Sequence, residues 1–344
     1  MKSTDWQRIE LSAFGGPENL HLVTEHGLPE PGPGQVRVKV LTAGTGFTDT
    51  IVRQGQYVDV KEKPPFTPGY DWFGVVDALG SGVSGLQVGD AVADMPAIGG
   101  YTQYLCVAAD HVVPCPAGID PVQAVCMMLS YTTAWQMLTR ECSLQPGDAI
   151  LVHAAGGAVG TALLELAREL QLTVYGTASA SKHDLVRSFG ATPIDYRNAD
   201  FVAEIDRLTE GKGVQAVFDT IGGKSWARSY RCVAKGGRLV GFGALQVTTG
   251  EESVPSLLWG FAKLLGLWRL RPDGRSSSFY NILSRRRKLP EEFRADVATL
   301  MQWLGDGRLY PAVAEVRPLR DAADVHRLID AGAVPGKIVL DCQA

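Results

Sequence analysis

Glycines in the segment 154–160 stand where a backbone could hold an anion. The segment reads Ala-Ala-Gly-Gly-Ala-Val-Gly and ends at Gly160. Glycines let a backbone approach a pyrophosphate closely, and the free N–H groups at the start of a following helix stabilise the negative charge. The residues predicted to contact such a group are Ala155, Gly156, Gly157, Ala158 and Val159. Because an alanine takes the first glycine position of the strict fingerprint, the motif alone would also fit an ordinary tight turn.

The flanking residues favour the phosphate interpretation. Residues 149–152 form an apolar run typical of a buried parallel strand, and leucines at helical spacing follow the turn as far as Leu170. A second short strand is predicted at 172–177. Strand, glycine turn, helix and strand together predict a right-handed βαβ unit that binds a dinucleotide.

The end of that second strand bears on which dinucleotide binds. Sites that prefer NAD carry an acidic residue here for the ribose 2′-hydroxyl. Residues 177–183 contain none, and instead offer Ser179 and Lys182. Small hydroxyl groups and a cation suit a 2′-phosphate, although a lysine at this place could also begin a solvated helix.

The rest of the chain divides by pattern into three parts. Residues 1–126 alternate like half-buried strands between glycines and prolines, residues 127–286 continue the α/β alternation, and residues 287–344 return to short helices and strands. We therefore predict a doubly wound α/β domain inserted into a β-rich catalytic domain, with a cleft between them as the expected site.

Composition bounds the class of protein. The formal net charge of −4 and the pI of about 5.9 do not favour nucleic acid as a partner. No apolar stretch is long enough for a membrane span, and Met1–Trp6 lacks the apolar core of a signal peptide. The six cysteines form no Cys-x-x-Cys pair, so a reducing, cytoplasmic location is expected.

Several motifs resemble one family. Pro68–Val76 reads PGYDWFGVV and resembles the Gly-His-Glu-x-x-Gly-x-Val segment of medium-chain dehydrogenases/reductases. Other segments resemble its zinc-free quinone oxidoreductase (zeta-crystallin-like) branch, namely 99–104, 152–160, 194–196 and 211–214. The resemblance implies a Rossmann domain inserted into a GroES-like catalytic domain, NADPH as the cofactor, and a homodimer.

Departures from the family concern the substrate side. The zinc enzymes of the family use an early Cys and the His of Gly-His-Glu, but Thr45–Asp49 has no Cys and Tyr70 replaces the His, so no metal is expected. In the zinc-free branch an Asn commonly faces the nicotinamide and substrate; Gly46 stands there, with Phe47 and Asp49 in the same predicted pocket.

Further cofactor residues are implied by the resemblance. Thr133 and the Gly241-Phe242-Gly243 turn match the nicotinamide side, and Tyr196 matches a Tyr that encloses the 2′-phosphate. Without the family, Thr133 would be an ordinary helix residue, Gly243 a strand-end turn and Tyr196 a core aromatic. His153 is predicted to be structural.

These observations predict a zinc-independent reductase that transfers hydride from NADPH to a quinone or an α,β-unsaturated carbonyl compound. Tyr57 matches the branch's active-site Tyr and could donate to the developing oxyanion, or only pack on substrate. Two other functions stay open: a zinc-type alcohol dehydrogenase and a non-catalytic, crystallin-like NADPH-binding protein.

Two predictions concern the segment that follows the cofactor motifs. The basic segment 263–288 is interpreted as a solvated loop, with an anion-steering rim as the alternative. Residues 267–270 are predicted to form the edge strand of the cofactor sheet, through which the homodimer would pair.

Overall fold

The chain forms two compact units. The computed structural model describes residues 4–248, 250 and 252–344, without the side chains of residues 247, 248 and 269. One unit combines Met1–Thr132 with Glu291–Ala344, and the other comprises Thr133–Pro290. The second unit is thus inserted into the first, which confirms the predicted fold class.

The first part of the chain is mainly β-structure. It contains β1 (Trp6–Leu11), β2 (Leu20–Glu25), β3 (Gln35–Gly44), α1 (Phe47–Arg53), β4 (Trp72–Leu79), β5 (Ala91–Asp94), β6 (Tyr104–Ala108), β7 (Val113–Pro114) and α2 (Pro121–Cys126). A π-helical segment at Met127–Tyr131 and α3 (Thr132–Gln136) follow.

The inserted unit alternates strands with helices. After a second π-helical segment at Met137–Glu141, it contains β8 (Ala149–Val152), α4 (Ala158–Glu169), β9 (Thr173–Ala178), α5 (His183–Ser188), β10 (Thr192–Asp195), α6 (Phe201–Leu208), β11 (Val214–Asp219), α7 (Lys224–Cys232), β12 (Val233–Gly241), α8 (Leu245–Thr248), α9 (Val254–Leu265), β13 (Ser276–Phe279) and α10 (Ile282–Lys288). The chain returns through α11 (Pro290–Gly305), β14 (Val313–Pro318), α12 (Ala322–Asp330) and β15 (Lys337–Asp341).

The larger sheet of the first unit has the order β14-β15-β3-β4-β5-β7, and β6 also pairs with β3. Neighbouring strands in this sheet are antiparallel, except that β14 and β15 are parallel to each other. Along β3 the residues Val36, Val38 and Val40 alternate into the core, where they pack with Trp72 and Leu340. The period of two that predicted a half-buried strand therefore corresponds to one buried face.

The sheet of the inserted unit is parallel throughout, in the order β10-β9-β8-β11-β12-β13. The strand order reverses between β8 and β11, and in such sheets ligands bind at the carboxyl ends beside this switch point. The glycine turn after β8 and the residues after β11 lie at that edge. Leu151, Val217 and Leu239 of the central strands pack with Trp226 of α7.

The predicted edge strand at residues 267–270 is wrong. Leu267–Leu270 is a short 3-10 helix, and β13 forms this edge of the sheet. Trp268 is buried and stacks on Tyr230 with ring centroids 4.4 Å apart, whereas Leu270, which would share its face in a strand, is exposed. A homodimer through this edge stays a prediction and would use β13.

The basic segment 263–288 is not a single solvated loop, contrary to our interpretation. It contains the end of α9, β13 and α10. Arg285 forms an ion pair with Glu141 at 2.9 Å, and Arg275 donates to the carbonyl of Tyr230 at 3.4 Å. Part of its charge is therefore used to hold the unit together. In the described parts of the chain, we find no helix with the length and apolarity needed to cross a bilayer.

A buried polar chain ties the returning segment to the first part of its unit. Arg53 of α1 bonds to Asp330 at 2.8 Å and to Nδ1 of His326 at 3.3 Å, and Nε2 of His326 lies 3.2 Å from the Tyr101 hydroxyl. Because a guanidinium only donates, Nδ1 accepts and Nε2–H donates to Tyr101. The Tyr101 phenol in turn faces the carboxylate of Asp49.

Burial and the Arg53 charge lower the pKa of His326 to about 3, so the imidazole is neutral in the fold. An unfolded His titrates near 6.5 and takes up a proton that the folded His resists. The contribution of His326 to the free energy of unfolding should therefore fall as the pH drops from about 6.5 towards 3. From about pH 6.5 to pH 4 the loss should be roughly 3 kcal/mol.

This dependence can be measured by urea unfolding at several pH values. His326→Gln keeps an acceptor and a donor but does not titrate, so its stability should fall less steeply with acid than that of the unmodified protein. Burial raises the pKa of Asp49 to about 7, which stabilises the fold in acid, but this opposing contribution is present in both proteins. His21→Gln, at an exposed site on β2, is the control. Equal acid slopes for the unmodified protein and His326→Gln would contradict the prediction.

Candidate functional site

The glycine turn connects β8 to α4 in the manner that anion binding needs. Gly157 is the extended residue before α4, and its N–H bonds to the carbonyl of Ala154 at 3.0 Å. A Cβ on Gly160 would lie 2.3 Å from that same carbonyl oxygen, so only glycine lets the helix pack this closely on the turn. The first N–H groups of α4, including those of Ala158 and Val159, are left for an anion.

The turn is also tied to the next strand. The N–H of Ala155 bonds to the carbonyl of Thr177 at 3.0 Å, and Ala155 is fully buried. This bond places the glycine turn beside the end of β9. In dinucleotide-binding sheets, residues at this strand end distinguish the ribose 2′-hydroxyl of NAD from the 2′-phosphate of NADP.

Lys182 lies against the glycine turn. A Cβ added to Gly156 would be 2.8 Å from Cδ of Lys182, so the stem of the lysine crosses the backbone at that glycine. The side chain is half-buried, and burial lowers the pKa of its ammonium group. Ser179 is nearby in the chain, with its hydroxyl 3.2 Å from that of Ser181. The structure thus brings a cation and the predicted phosphate turn together.

Tyr196 follows β10, the strand beside β9, and 52% of it is exposed. It is therefore not a core aromatic, which was the alternative interpretation. Arg197 lies over its ring, with the guanidinium carbon 5.8 Å from the ring centroid. Arg197 was not among the predicted cofactor residues, although a basic residue at the carboxyl end of a strand beside β9 was a usable signal.

A buried network fixes the carboxyl edge of the inserted sheet. His153 lies between the hydroxyls of Thr177 at 3.0 Å and Ser229 at 2.9 Å, and Ser229 donates to Asp219 at 2.6 Å. Burial lowers the pKa of His153, which favours the neutral ring. His153 thus joins the ends of β8, β9 and β11, which agrees with the structural role predicted for it.

Contacts with Asp219 and Thr220, at the end of β11, hold the turn after β12. The N–H of Phe242 donates to the carbonyl of Asp219 at 3.0 Å, and a Cβ on Gly243 would lie 2.4 Å from the Thr220 hydroxyl oxygen. Phe242 and Gly243 are half-buried. Glycine at 243 is therefore required by close packing, and the two residues lie at the carboxyl edge that the cofactor prediction needs.

Thr133 has an unusual environment for a buried residue. It is 5% exposed, and its hydroxyl oxygen has no hydrogen-bond partner among the described residues. A buried hydroxyl without a partner costs about 1–3 kcal/mol, so a ligand amide that bonds to it would recover that free energy. A dinucleotide whose nicotinamide carries an amide fits three features of this unit. These are the unpartnered Thr133 hydroxyl, the glycine turn and the Lys182 ammonium group.

In the predicted substrate pocket, Asp49 organises the start of α1. It is 1% exposed; Oδ2 accepts from the N–H of Gly46 and Oδ1 from the N–H of Tyr70, each at 2.9 Å. Burial, reinforced by the Asp71 charge, raises the pKa of Asp49 to about 7. Asp49 therefore positions Gly46 and Tyr70 from inside the unit.

Gly46 leaves room at this place. Its backbone is extended, and a Cβ there would meet nothing nearer than Oδ2 of Asp49 at 3.9 Å. The next residue, Phe47, is half-buried. A Cβ would fit at Gly46 without backbone strain, so close packing does not require the glycine there.

Tyr57 and Tyr70 form a hydroxyl pair. Their hydroxyl oxygens are 2.7 Å apart, and the rings meet edge to face with centroids 5.7 Å apart. Tyr70 is fully buried, whereas Tyr57 is half-buried. The structure thus joins the predicted catalytic phenol to the residue that replaces the zinc-ligating His.

Asp71, the residue after Tyr70, also accepts hydrogen bonds. Oδ2 of Asp71 bonds to Nζ of Lys337 at 3.3 Å and to the N–H of Leu129 at 3.1 Å. Although burial lowers the pKa of Lys337, the carboxylates of Asp71 and Asp49 raise it above its ordinary value. Within the described residues no group of three His, Cys, Asp or Glu side chains is arranged to hold a metal ion.

Comparisons with known proteins agree with this geometry. The family model described as an alcohol dehydrogenase GroES-like domain matches residues 32–117, and the one described as a zinc-binding dehydrogenase matches residues 189–340. Rat synaptic vesicle membrane protein VAT-1 homolog is 32% identical over 340 residues, 96% of this chain and 83% of the relative. The 2-haloacrylate reductase of a Burkholderia species is 31% identical over 336 residues, 96% of this chain and 97% of the relative.

Solved structures lead to the same group. Escherichia coli quinone oxidoreductase in complex with NADPH superposes with a TM-score of 0.84 at 28% identity, covering 97% of this chain and 99% of that one. The Pseudomonas syringae quinone oxidoreductase gives a TM-score of 0.83 at 28% identity, covering 98% and 99%. The chain belongs to the medium-chain dehydrogenase/reductase superfamily, in its zinc-free quinone oxidoreductase branch.

Proposed function

We propose that this protein is an NADPH-dependent, zinc-independent reductase of quinones or α,β-unsaturated carbonyl compounds. The observation that carries the proposal is the Lys182 side chain lying over Gly156, at a strand end that has no acidic residue. This is the charge pattern of a 2′-phosphate site. A relative named as a reductase and a structural neighbour that binds NADPH support it.

The residues for the two ends of the cofactor are distinct. Ser179, Lys182 and Tyr196 would bind the 2′-phosphate, and the turn 155–159 the pyrophosphate. Thr133, Phe242 and Gly243 would position the nicotinamide half. When bound, the reduced nicotinamide supplies a hydride to an electron-poor carbon.

The substrate side must stabilise negative charge on oxygen, because conjugate reduction places charge on the carbonyl or quinone oxygen. Tyr57 carries a phenol that donates at neutral pH. Gly46 and Phe47 would shape the pocket, and Asp49 would hold its floor through the N–H groups of Gly46 and Tyr70.

Cofactor preference tests the phosphate site. Lys182→Gln removes the charge, and a charged contact to phosphate contributes roughly 1.5–3 kcal/mol, so NADPH should bind about tenfold to a hundredfold more weakly. NADH affinity should hardly change. Calorimetric dissociation constants for both cofactors provide the measurement, with Arg187→Gln on the exposed face of α5 as the control. Equal affinity of the unmodified protein for NADPH and NADH would refute the assignment.

Activity and metal content test the function itself. We expect the purified protein to oxidise NADPH with quinones or enones, in the presence of chelator and without stoichiometric zinc by elemental analysis. One tightly held zinc per chain with oxidation of simple alcohols would identify a zinc-type dehydrogenase instead. Tight NADPH binding without turnover of any quinone or enone would identify a crystallin-like binding protein.

A further inference from the structure

Tyr70 is a tyrosine with an unusually restricted hydroxyl. It is fully buried, and among the described residues Tyr57 is the hydrogen-bond partner of its hydroxyl. The side chain stands where zinc enzymes of the family have a metal-binding His, so this chain places a phenol in the position of a metal ligand.

The direction of the bond between the two hydroxyls follows from burial. A phenol has one proton to donate, and a buried O–H without an acceptor is costly. If Tyr57 donated, the Tyr70 proton would have no acceptor among the described residues. If Tyr70 donates, its proton is satisfied and the proton of half-buried Tyr57 is directed to an acceptor other than Tyr70.

The protonation state of Tyr70 agrees with this direction. Burial, together with the neighbouring Tyr57, raises the pKa of Tyr70 well above its ordinary value. Tyr70 therefore keeps its proton throughout the working pH range, and it is a permanent donor at 2.7 Å from the Tyr57 oxygen.

The backbone of Tyr70 is held from both sides. Its N–H donates to Asp49 at 2.9 Å, and its carbonyl accepts from the N–H of Ala97 at 3.2 Å. The preceding Gly69 has φ +108°, and a Cβ there would lie 2.4 Å from the N atom of Tyr101. The phenol of Tyr70 is thus placed by a backbone with little freedom to move.

We propose that Tyr70 is a positioning residue that donates its proton to Tyr57 and so turns the Tyr57 proton towards the carbonyl oxygen of the substrate. The hydrogen bond received by Tyr57 also stabilises the partial negative charge that its oxygen gains as it donates. This proposal rests on the proposed reductase function, since it needs a substrate oxygen as the acceptor. Tyr70 acts through Tyr57 and does not itself contact the substrate.

A double-mutant cycle separates this role from a general structural one. Tyr57→Phe should lower kcat about tenfold to a thousandfold, as expected for loss of an oxyanion donor. Tyr70→Phe should lower kcat about threefold to tenfold, as expected for loss of one hydrogen bond. In the Tyr57→Phe background, however, Tyr70→Phe should have no effect on kcat. Tyr104→Phe, a half-buried tyrosine of β6, is the control.

Ultraviolet titration of the phenols provides a readout that does not depend on turnover. The difference between proteins with and without Tyr57 isolates its ionisation. Removing the Tyr70 hydroxyl should shift that ionisation upward by about half to one pH unit, because the Tyr57 phenolate loses a hydrogen bond. Circular dichroism checks that each variant is folded.

The outcomes divide clearly. An equal fall in kcat on Tyr70→Phe with and without the Tyr57 hydroxyl, or an unchanged Tyr57 titration, would overturn the positioning role. If the unmodified protein reduces no quinone or enone, the proposed function fails. The same titration then still shows whether Tyr70 donates to Tyr57: an upward shift supports the hydroxyl pair, and no shift overturns it.

Discussion

The carboxylate of Asp49 holds the proposed substrate side of the protein together. Its oxygens accept the N–H groups of Gly46 and Tyr70, at 2.9 Å each, which joins the start of α1 to the segment before β4. This link holds the backbone of Tyr70, whose hydroxyl pairs with that of Tyr57. Loss of the carboxylate would leave the buried N–H of Tyr70 without an acceptor, at about 1–3 kcal/mol, and would also remove the acceptor of the part-buried Gly46 N–H.

The same arrangement explains how the metal site of related enzymes is replaced. A phenol that stays protonated is a poor zinc ligand but a good hydrogen-bond donor. We therefore infer that Tyr70 donates a hydrogen bond at the position where the zinc enzymes have a His that binds the metal. Asp71, the next residue, is paired with Lys337 in the interior, so its charge is compensated by a side chain.

The cofactor side depends on a comparable buried link, between His153, Thr177 and the Ser229–Asp219 pair. It fixes the carboxyl ends of β8, β9 and β11. The glycine turn follows β8, and the carbonyl of Asp219 at the end of β11 accepts from Phe242 in the turn after β12. Hydrogen bonds thus hold the bases of both turns. Preorganisation of this kind lowers the conformational cost of binding.

Local signals predicted much of this from sequence. The βαβ unit was recognisable because its glycine turn, apolar strand and helical leucine spacing lie within 30 consecutive residues. The strand predicted at 267–270 was wrong because a mainly apolar run of four residues does not distinguish a strand from a 3-10 helix. In the fold, Trp268 stacks on Tyr230.

Long-range contacts were beyond the sequence patterns. The β1–β2 hairpin was not predicted, since its pairing is set by tertiary contacts as well as by its own residues. Tyr70 was seen only as a missing zinc ligand. Its bond to Tyr57 depends on how the loop after α1 folds back, and no periodicity in the sequence reports that.

Transfer of deuterium tests the central claim of a zinc-independent conjugate reductase most directly. The protein would be incubated with a conjugated enone and NADPH that carries deuterium at the transferable position of the nicotinamide, and the product analysed by NMR. We predict one deuterium on the β-carbon of a saturated ketone. Deuterium on the carbonyl carbon of an alcohol, or no deuterium in any product, would contradict the account.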